Sequence, residues 1–320
     1  MKDMNENKKT FFFIDDVIWV FRDLTRKRPA SLFDNPYMKV LKEAHDRYGM
    51  KVQLHAFYRT DFYYGNDEFT LADMTDAYKA EWEEASDWIK IGFHSKQEFP
   101  DYPFVNATYE DAAGVWGDMK REIIRFAGEK SVAWSTCAHW GALSKAAVRA
   151  LHDGGIRLIS PSVSESPCWE YNGDPASLPY GHAGRLLQNR QPETKVFSRG
   201  TRNKAIDNSL CGYNYLAPEV HRAIKNTLET VYDGEMDVYY KKLSVAPCLN
   251  LYELAELEQE FGPHLDKEFI GYAVHEQYFY EDYFAYQPEY AAKILKAAEI
   301  LSKAGYTYFF AEEMIEEEKR

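Results

Sequence analysis

The chain has 320 residues, 45% of them apolar and 16% aromatic, enough to bury the core of one large α/β domain over 1–320. Fifty-one acids against 38 bases leave a net charge of −13, which argues against nucleic acid and anionic membrane surfaces as partners, because both reward positive charge. The acid excess either keeps the protein in solution or suits a metal cation or a neutral substrate.

In chain order, the first apolar run, Phe11 to Ile14, reads as a buried strand that ends in Asp15 and Asp16. Paired carboxylates there are either a cap or solvated loop acids, or they are kept for a metal or a catalytic task. Asn35-Pro36 opens a predicted helix to Tyr48 that Gly49 closes. A strand over Lys51 to Tyr58 and a helix over Leu71 to Ser86 follow, then a strand over Trp88 to Phe93 that places His94 just past its end. The pattern continues with a helix over Tyr109 to Ala127, a strand over Val132 to Ser135, a helix over Leu143 to Leu151 and a strand over Ile156 to Ile159. Five such units predict a parallel sheet, and their even spacing favours a barrel.

Residues 161–216, rich in Pro, Gly, Ser and Asn, break this rhythm and read as an irregular insertion. Beyond it the sequence predicts a helix over Pro218 to Tyr232, a strand over Lys242 to Pro247 and a helix over Leu251 to Phe261. A strongly apolar strand over Phe269 to Val274 then ends at His275, and a helix over Pro288 to Ala304 leads to a last strand, Tyr306 to Phe310. Cys137, Cys168, Cys211 and Cys248 are scattered without metal-site spacing or a disulfide framework, and the N-terminus lacks the features of a signal peptide. No run approaches the roughly twenty apolar residues of a membrane span, so the expectation is a cytoplasmic protein with reduced thiols.

In a parallel α/β barrel the strand ends converge on one face, which would bring Asp15, Asp16, His94, His139 and His275 together. Aromatic clusters at Phe57 to Tyr64 and Tyr278 to Tyr286 either wall a sugar site or fill space under loops. His55, inside the second predicted strand, reads as a hydrogen-bonded core residue.

Three of these segments resemble the motifs of the polysaccharide deacetylase, or NodB-homology, superfamily. Phe12-Phe13-Ile14-Asp15-Asp16-Val17 is similar to its first motif, Gly92-Phe93-His94-Ser95-Lys96-Gln97-Glu98 to its second, and Tyr272-Ala273-Val274-His275 to its last. The resemblance runs in order along nearly the whole chain and implies a distorted (β/α)7 barrel. It implies Asp16 and His94 as ligands of a divalent metal, most often zinc, with Asp15 as general base and His275 as general acid. The reaction implied is hydrolysis of a carbon–nitrogen bond that is not a peptide bond, chiefly removal of an N-acetyl group from an amino sugar. The chain departs from the pattern twice. Glu98 stands where the family has a second His; it is either a carboxylate ligand, opening the site to manganese, iron or magnesium, or a solvated acid. Ser135 to Gly141 lacks the family's Arg and Pro; there His139 either takes over part of that role or contacts substrate, and Trp140 either stacks on a sugar or packs in the core. The alternatives are a carbohydrate-binding protein that keeps the barrel without the reaction, or a metal-free amide or glycoside hydrolase using Asp15 and Glu98.

Overall fold

The structure is a computed structural model that describes residues 8–60, 68–98, 103–104, 107–141, 143–161, 220, 223–224, 229–283 and 285–318. The expected insertion at 161–216, except Pro161, lies outside the described residues, as do most of the helix expected over Pro218 to Tyr232 and part of the first aromatic cluster. The chain divides into two compact units. The first holds Met1–Gly92, Met119–Ala133 and Leu243–Arg320, and the second Phe93–Asp118 and Trp134–Lys242.

The first unit is built on β1 (Lys9–Val17), β2 (Val52–Phe57), β3 (Ile89–Ser95, whose last three residues belong to the second unit), β8 (Phe269–His275) and β9 (Thr307–Tyr308). The strand order is β3-β2-β1-β8 with β9 also on β1, and β2, β8 and β9 all run parallel to β1. Phe11, Phe12, Phe13 and Ile14 are buried together, as expected for a parallel strand covered on both faces. Helix α2 (Pro36–Tyr48) forms as its sequence dictates: the Asn35 carboxamide oxygen accepts from the N–H groups of Tyr37 and Met38, and Gly49 closes it at φ 66°. The helix expected over Leu71 to Ser86 is broken, and only α3 (Lys79–Glu84) is α-helical there. Thr70 donates from its N–H and its hydroxyl to Asp73, and the Thr75 hydroxyl accepts from Ala77 N–H, so side chains compete with the helical ladder.

Helix α1 (Trp19–Lys27) carries no local polar cap, since Ile18 precedes it. Its N-terminus is closed by the buried Glu276 carboxylate, which accepts from the N–H groups of Ile18, Trp19 and Val20 at 2.7, 2.8 and 2.7 Å. Gly271 in β8 lies against the main chain of residue 243: its carbonyl accepts from Val245 and Ala246 N–H, and a Cβ there would overlap the Leu243 carbonyl. That is why Lys242 to Pro247 is not the expected strand, since two amides spend their hydrogen bonds on one oxygen instead of building a ladder.

The second unit carries β4 (Ser135–Thr136), β5 (Leu158–Ile159), β6 (Val231–Asp233) and β7 (Val238–Tyr240) in the order β4-β5-β7-β6. β4, β5 and β7 are parallel, and β6 returns antiparallel. Val231 to Tyr232 was expected to end a helix; it is a hairpin strand, because Asp233 folds the chain back by accepting from Glu235 and Met236 N–H and Asp237 takes φ 55°. Helix α4 (Tyr109–Ala127) spans the division between units, and α5 (Lys145–Asp153) is capped by Ser144. Helices α6 (Leu257–Phe261), α7 (Tyr290–Lys303) and α8 (Ala311–Glu318) complete the first unit. The fold is thus mixed α/β with parallel strands and helices, and among the described residues no ladder closes the strands into a barrel. No helix of the described residues is long and apolar enough to cross a membrane.

Two stability measurements follow from these contacts. Gly271→Ala forces two main chains apart and is expected to destabilise the protein by ~2 kcal/mol or more in urea denaturation, whereas a change below ~0.5 kcal/mol would mean the approach is not tight. Burial pushes the Glu276 carboxyl up from 4.5 to about 7 against the pull of its three N–H donors. Between those values the folded state holds a proton that the unfolded chain has released, so stability falls as pH rises through the window, by up to ~3 kcal/mol. Urea denaturation on either side of the window should show that fall in the wild type and a smaller one in Glu276→Gln; parallel slopes would refute it.

Candidate metal centre

In the first unit, the β1 and β2 ladders run in step from Phe12↔Val52 to Ile14↔Leu54, and then Val17 meets Ala56. Three steps on β1 match two on β2, so Asp15 and Asp16 together stand opposite His55 in a β-bulge. The bulge puts Asp16 at φ 62°, a left-handed conformation that aspartate tolerates better than bulkier residues. Both carboxylates are buried. Asp15 Oδ1 lies 2.7 Å from His55 Nδ1, and His55 Nε2 lies 3.0 Å from the Gln53 carboxamide nitrogen. Gln53 Nε2 donates, so His55 accepts at Nε2 and donates from Nδ1 to Asp15. Asp16 Oδ2 accepts from Gln277 Nε2 at 2.8 Å. Asp15 and His275 are register partners on adjacent strands. The His275 ring nitrogen Nδ1 is 3.0 Å from Asn250 Oδ1, and the Cys248 thiol lies 3.1 Å from the same oxygen.

In the second unit, His94 lies inside β3 and is buried. Its Nδ1 is 2.6 Å from the Cys137 carbonyl, an oxygen that only accepts, so Nδ1 carries the proton and Nε2 offers a lone pair. His139, in the turn after β4, is fixed the same way: its Nε2 is 3.0 Å from the Glu98 carbonyl, which leaves the lone pair on Nδ1. The two inner nitrogens, His94 Nε2 and His139 Nδ1, face each other at 3.1 Å. Two lone pairs at that separation repel unless a proton or a cation lies with them, and 3.1 Å is close to the spacing of two nitrogens bound to one ion at about 2.0–2.1 Å. The main-chain carbonyls behind the rings supply the outer support that metal-bound imidazoles ordinarily have. Glu98 is buried beside this pair with Oε1 3.8 Å from His139 Nε2, and it is the Glu98 carbonyl that makes the short contact. Trp140 is half-buried, packs edge-on against His139 and sits at φ 62°, rare for a large side chain.

The sequence-expected residues therefore fall into two groups: Asp15, Asp16 and His275 in the first unit, and His94, Glu98, His139 and Trp140 in the second. Buried aspartate and histidine side chains with the donors that a divalent ion takes are present, namely Asp15, Asp16, His55, His94 and His139. Sequence reasoning missed His55 as the partner of Asp15, Gln277 as that of Asp16, and Asn250 with Cys248 beside His275. Only His55 carried a local signal. Gln53 and His55 stand two apart, on one face of an otherwise apolar strand that is buried throughout.

No family model matches the chain, and no curated protein matches it. Among solved structures it is similar to one described as the crystal structure of 4-alpha-glucanotransferase from Thermococcus litoralis, at 9% identity and a TM-score of 0.47. That similarity covers 97% of this chain but 40% of the other, so the chain spans less than half the length of that protein.

Proposed function

We propose that this chain is a metal-dependent hydrolase of carbon–nitrogen bonds other than peptide bonds, which removes an N-acetyl group from an amino-sugar derivative on a distorted (β/α)7 barrel. The observation that carries the reading is the pair of lone-pair nitrogens on His94 and His139, turned toward each other by carbonyls that hold their outer nitrogens. The family resemblance assigns Asp16 and His94 to the ion, and His139, which faces His94 within the second unit, takes the place that the resemblance gives to Glu98. Zinc suits two imidazoles and a carboxylate, and manganese or iron is compatible with the same set. When bound, the ion supplies Lewis acidity, polarising the acyl carbonyl and bringing the pKa of water toward 7.

The remaining chemistry belongs to the protein's own groups. Asp15 takes a proton from the attacking water, and the His55 N–H on Oδ1 keeps its carboxylate oriented. Water's hydroxyl bonds to the acyl carbon as the carbon–nitrogen bond breaks. His275 delivers a proton to the departing amine nitrogen, so the products are a free amine and a carboxylate.

Elemental analysis of protein purified without chelator should find about one divalent ion per chain. Asp16→Ala, His94→Ala and His139→Ala should each lose it. Asp15→Asn should keep the ion yet release acetate from N-acetylglucosamine oligomers on the order of 10²-fold more slowly. Glu98→Ala should retain the ion, since its carbonyl survives the substitution; loss of metal there would restore Glu98 as the ligand. A wild-type protein that takes up no ion even when supplied with zinc, manganese or iron would overturn the proposal.

A further inference from the structure

We infer that Asn250 is a positioning residue that locks His275 in one tautomer, with its proton on Nδ1 and its lone pair on Nε2. This deepens the reading of His275 as a proton-transfer group and rests on it for the catalytic role, but not for the tautomer. Three donors converge on one oxygen. Asn250 Oδ1 lies 3.0 Å from His275 N, 3.0 Å from His275 Nδ1 and 3.1 Å from Cys248 Sγ. A carboxamide oxygen only accepts, so the ring contact requires a hydrogen on Nδ1. A neutral imidazole has one such hydrogen, which leaves Nε2 as the atom that gains and loses the working proton. Main chain and ring of His275 are pinned to the same atom, and this restricts the turning of the side chain.

The clamp is itself anchored. Asn250 is buried in the short turn Leu249–Leu251, and an isolated bridge joins Cys248 to Ala273 of β8, two residues before His275. The Asn250 main-chain carbonyl accepts from Gln287 Nε2 at 2.8 Å, and Gln287 Oε1 accepts from the buried Lys293 ammonium at 2.8 Å. Cys248 sits 3.5 Å from the same ring nitrogen, Nδ1, that Asn250 already occupies. A Cys-His-Asn triad places the cysteine and the amide on opposite ring nitrogens, whereas here both face Nδ1, and the thiol serves as a third donor to the clamp. Asn250 is also neutral. It fixes the tautomer without bringing the charge of a carboxylate to Nδ1.

The test is nitrogen NMR of the full chain with labelled histidine, at a pH above the ordinary imidazole range, with His275 assigned by the signal lost in His275→Gln. The wild type should show a protonated Nδ1 and an unprotonated Nε2. Asn250→Ala should lose that signature while retaining the wild-type circular dichroism spectrum, and Asn250→Asp, which keeps the acceptor oxygen, should restore it. An Nε2-protonated wild type, or an unchanged signature in Asn250→Ala, would overturn the inference. If Asn250→Ala does not fold, the wild-type and Asn250→Asp spectra still decide it: both must show the Nδ1-protonated form. These spectra need neither metal nor substrate, so a protein that releases no acetate would defeat the proposed reaction and leave the tautomer lock standing. Where acetate release is measured, Asn250→Ala should lower kcat on the order of 10²-fold with KM nearly unchanged; an unchanged kcat would remove the catalytic role.

Discussion

Strand β1 runs buried between β2 and β8, its apolar residues packed on both faces, until the ladder to β2 takes in one residue too many at Asp15 and Asp16. The rest of the first unit's site depends on that bulge. Without it, consecutive carboxylates on a regular strand would point to opposite faces. With it, Asp16 adopts a left-handed backbone and meets Gln277, while Asp15 meets His55 on the neighbouring strand. Burying two carboxylates is costly, and each is offset by a hydrogen-bond donor from a different element.

A common device recurs at the histidines of both units. His94 and His139 are each held at one nitrogen by a main-chain carbonyl, and His275 by a side-chain amide oxygen. In every case the acceptor decides which nitrogen keeps the proton and which offers a lone pair. Carbonyl and carboxamide acceptors carry no charge, so they set the orientation of the rings without adding carboxylates.

The sequence signal matches the structure where an element carries its own caps and its own apolar period. Helix α2 carries its own Asn cap, first-position Pro and closing Gly, and the spans of α4, β2 and β8 lie within a residue or so of the sequence expectation. Helix α1 was illegible because its cap comes from Glu276, more than 250 residues away. The break after Thr70 and the hairpin at Asp233 were missed because short polar side chains there bond to nearby main chain or to one another, and propensity summed over a window does not register that. The barrel spacing inferred from periodicity concerns the order of elements, and the ladders among the described residues belong to two sheets.

The sequence by itself determined the chemistry available: two adjacent aspartates after an apolar strand, and histidines at or near the ends of others, each recognisable because apolar periodicity marks where strands run and stop. It could not determine partners. Asn250 and His275, Asp15 and His55, and Glu276 and Ile18 are separated by 25, 40 and 258 residues. Hydrogen bonds act over about 3 Å, and only tertiary packing brings such residues that close. Which nitrogen of His94, His139 and His275 faces an acceptor, and which residue lies against Asp15, were therefore decided by the fold alone.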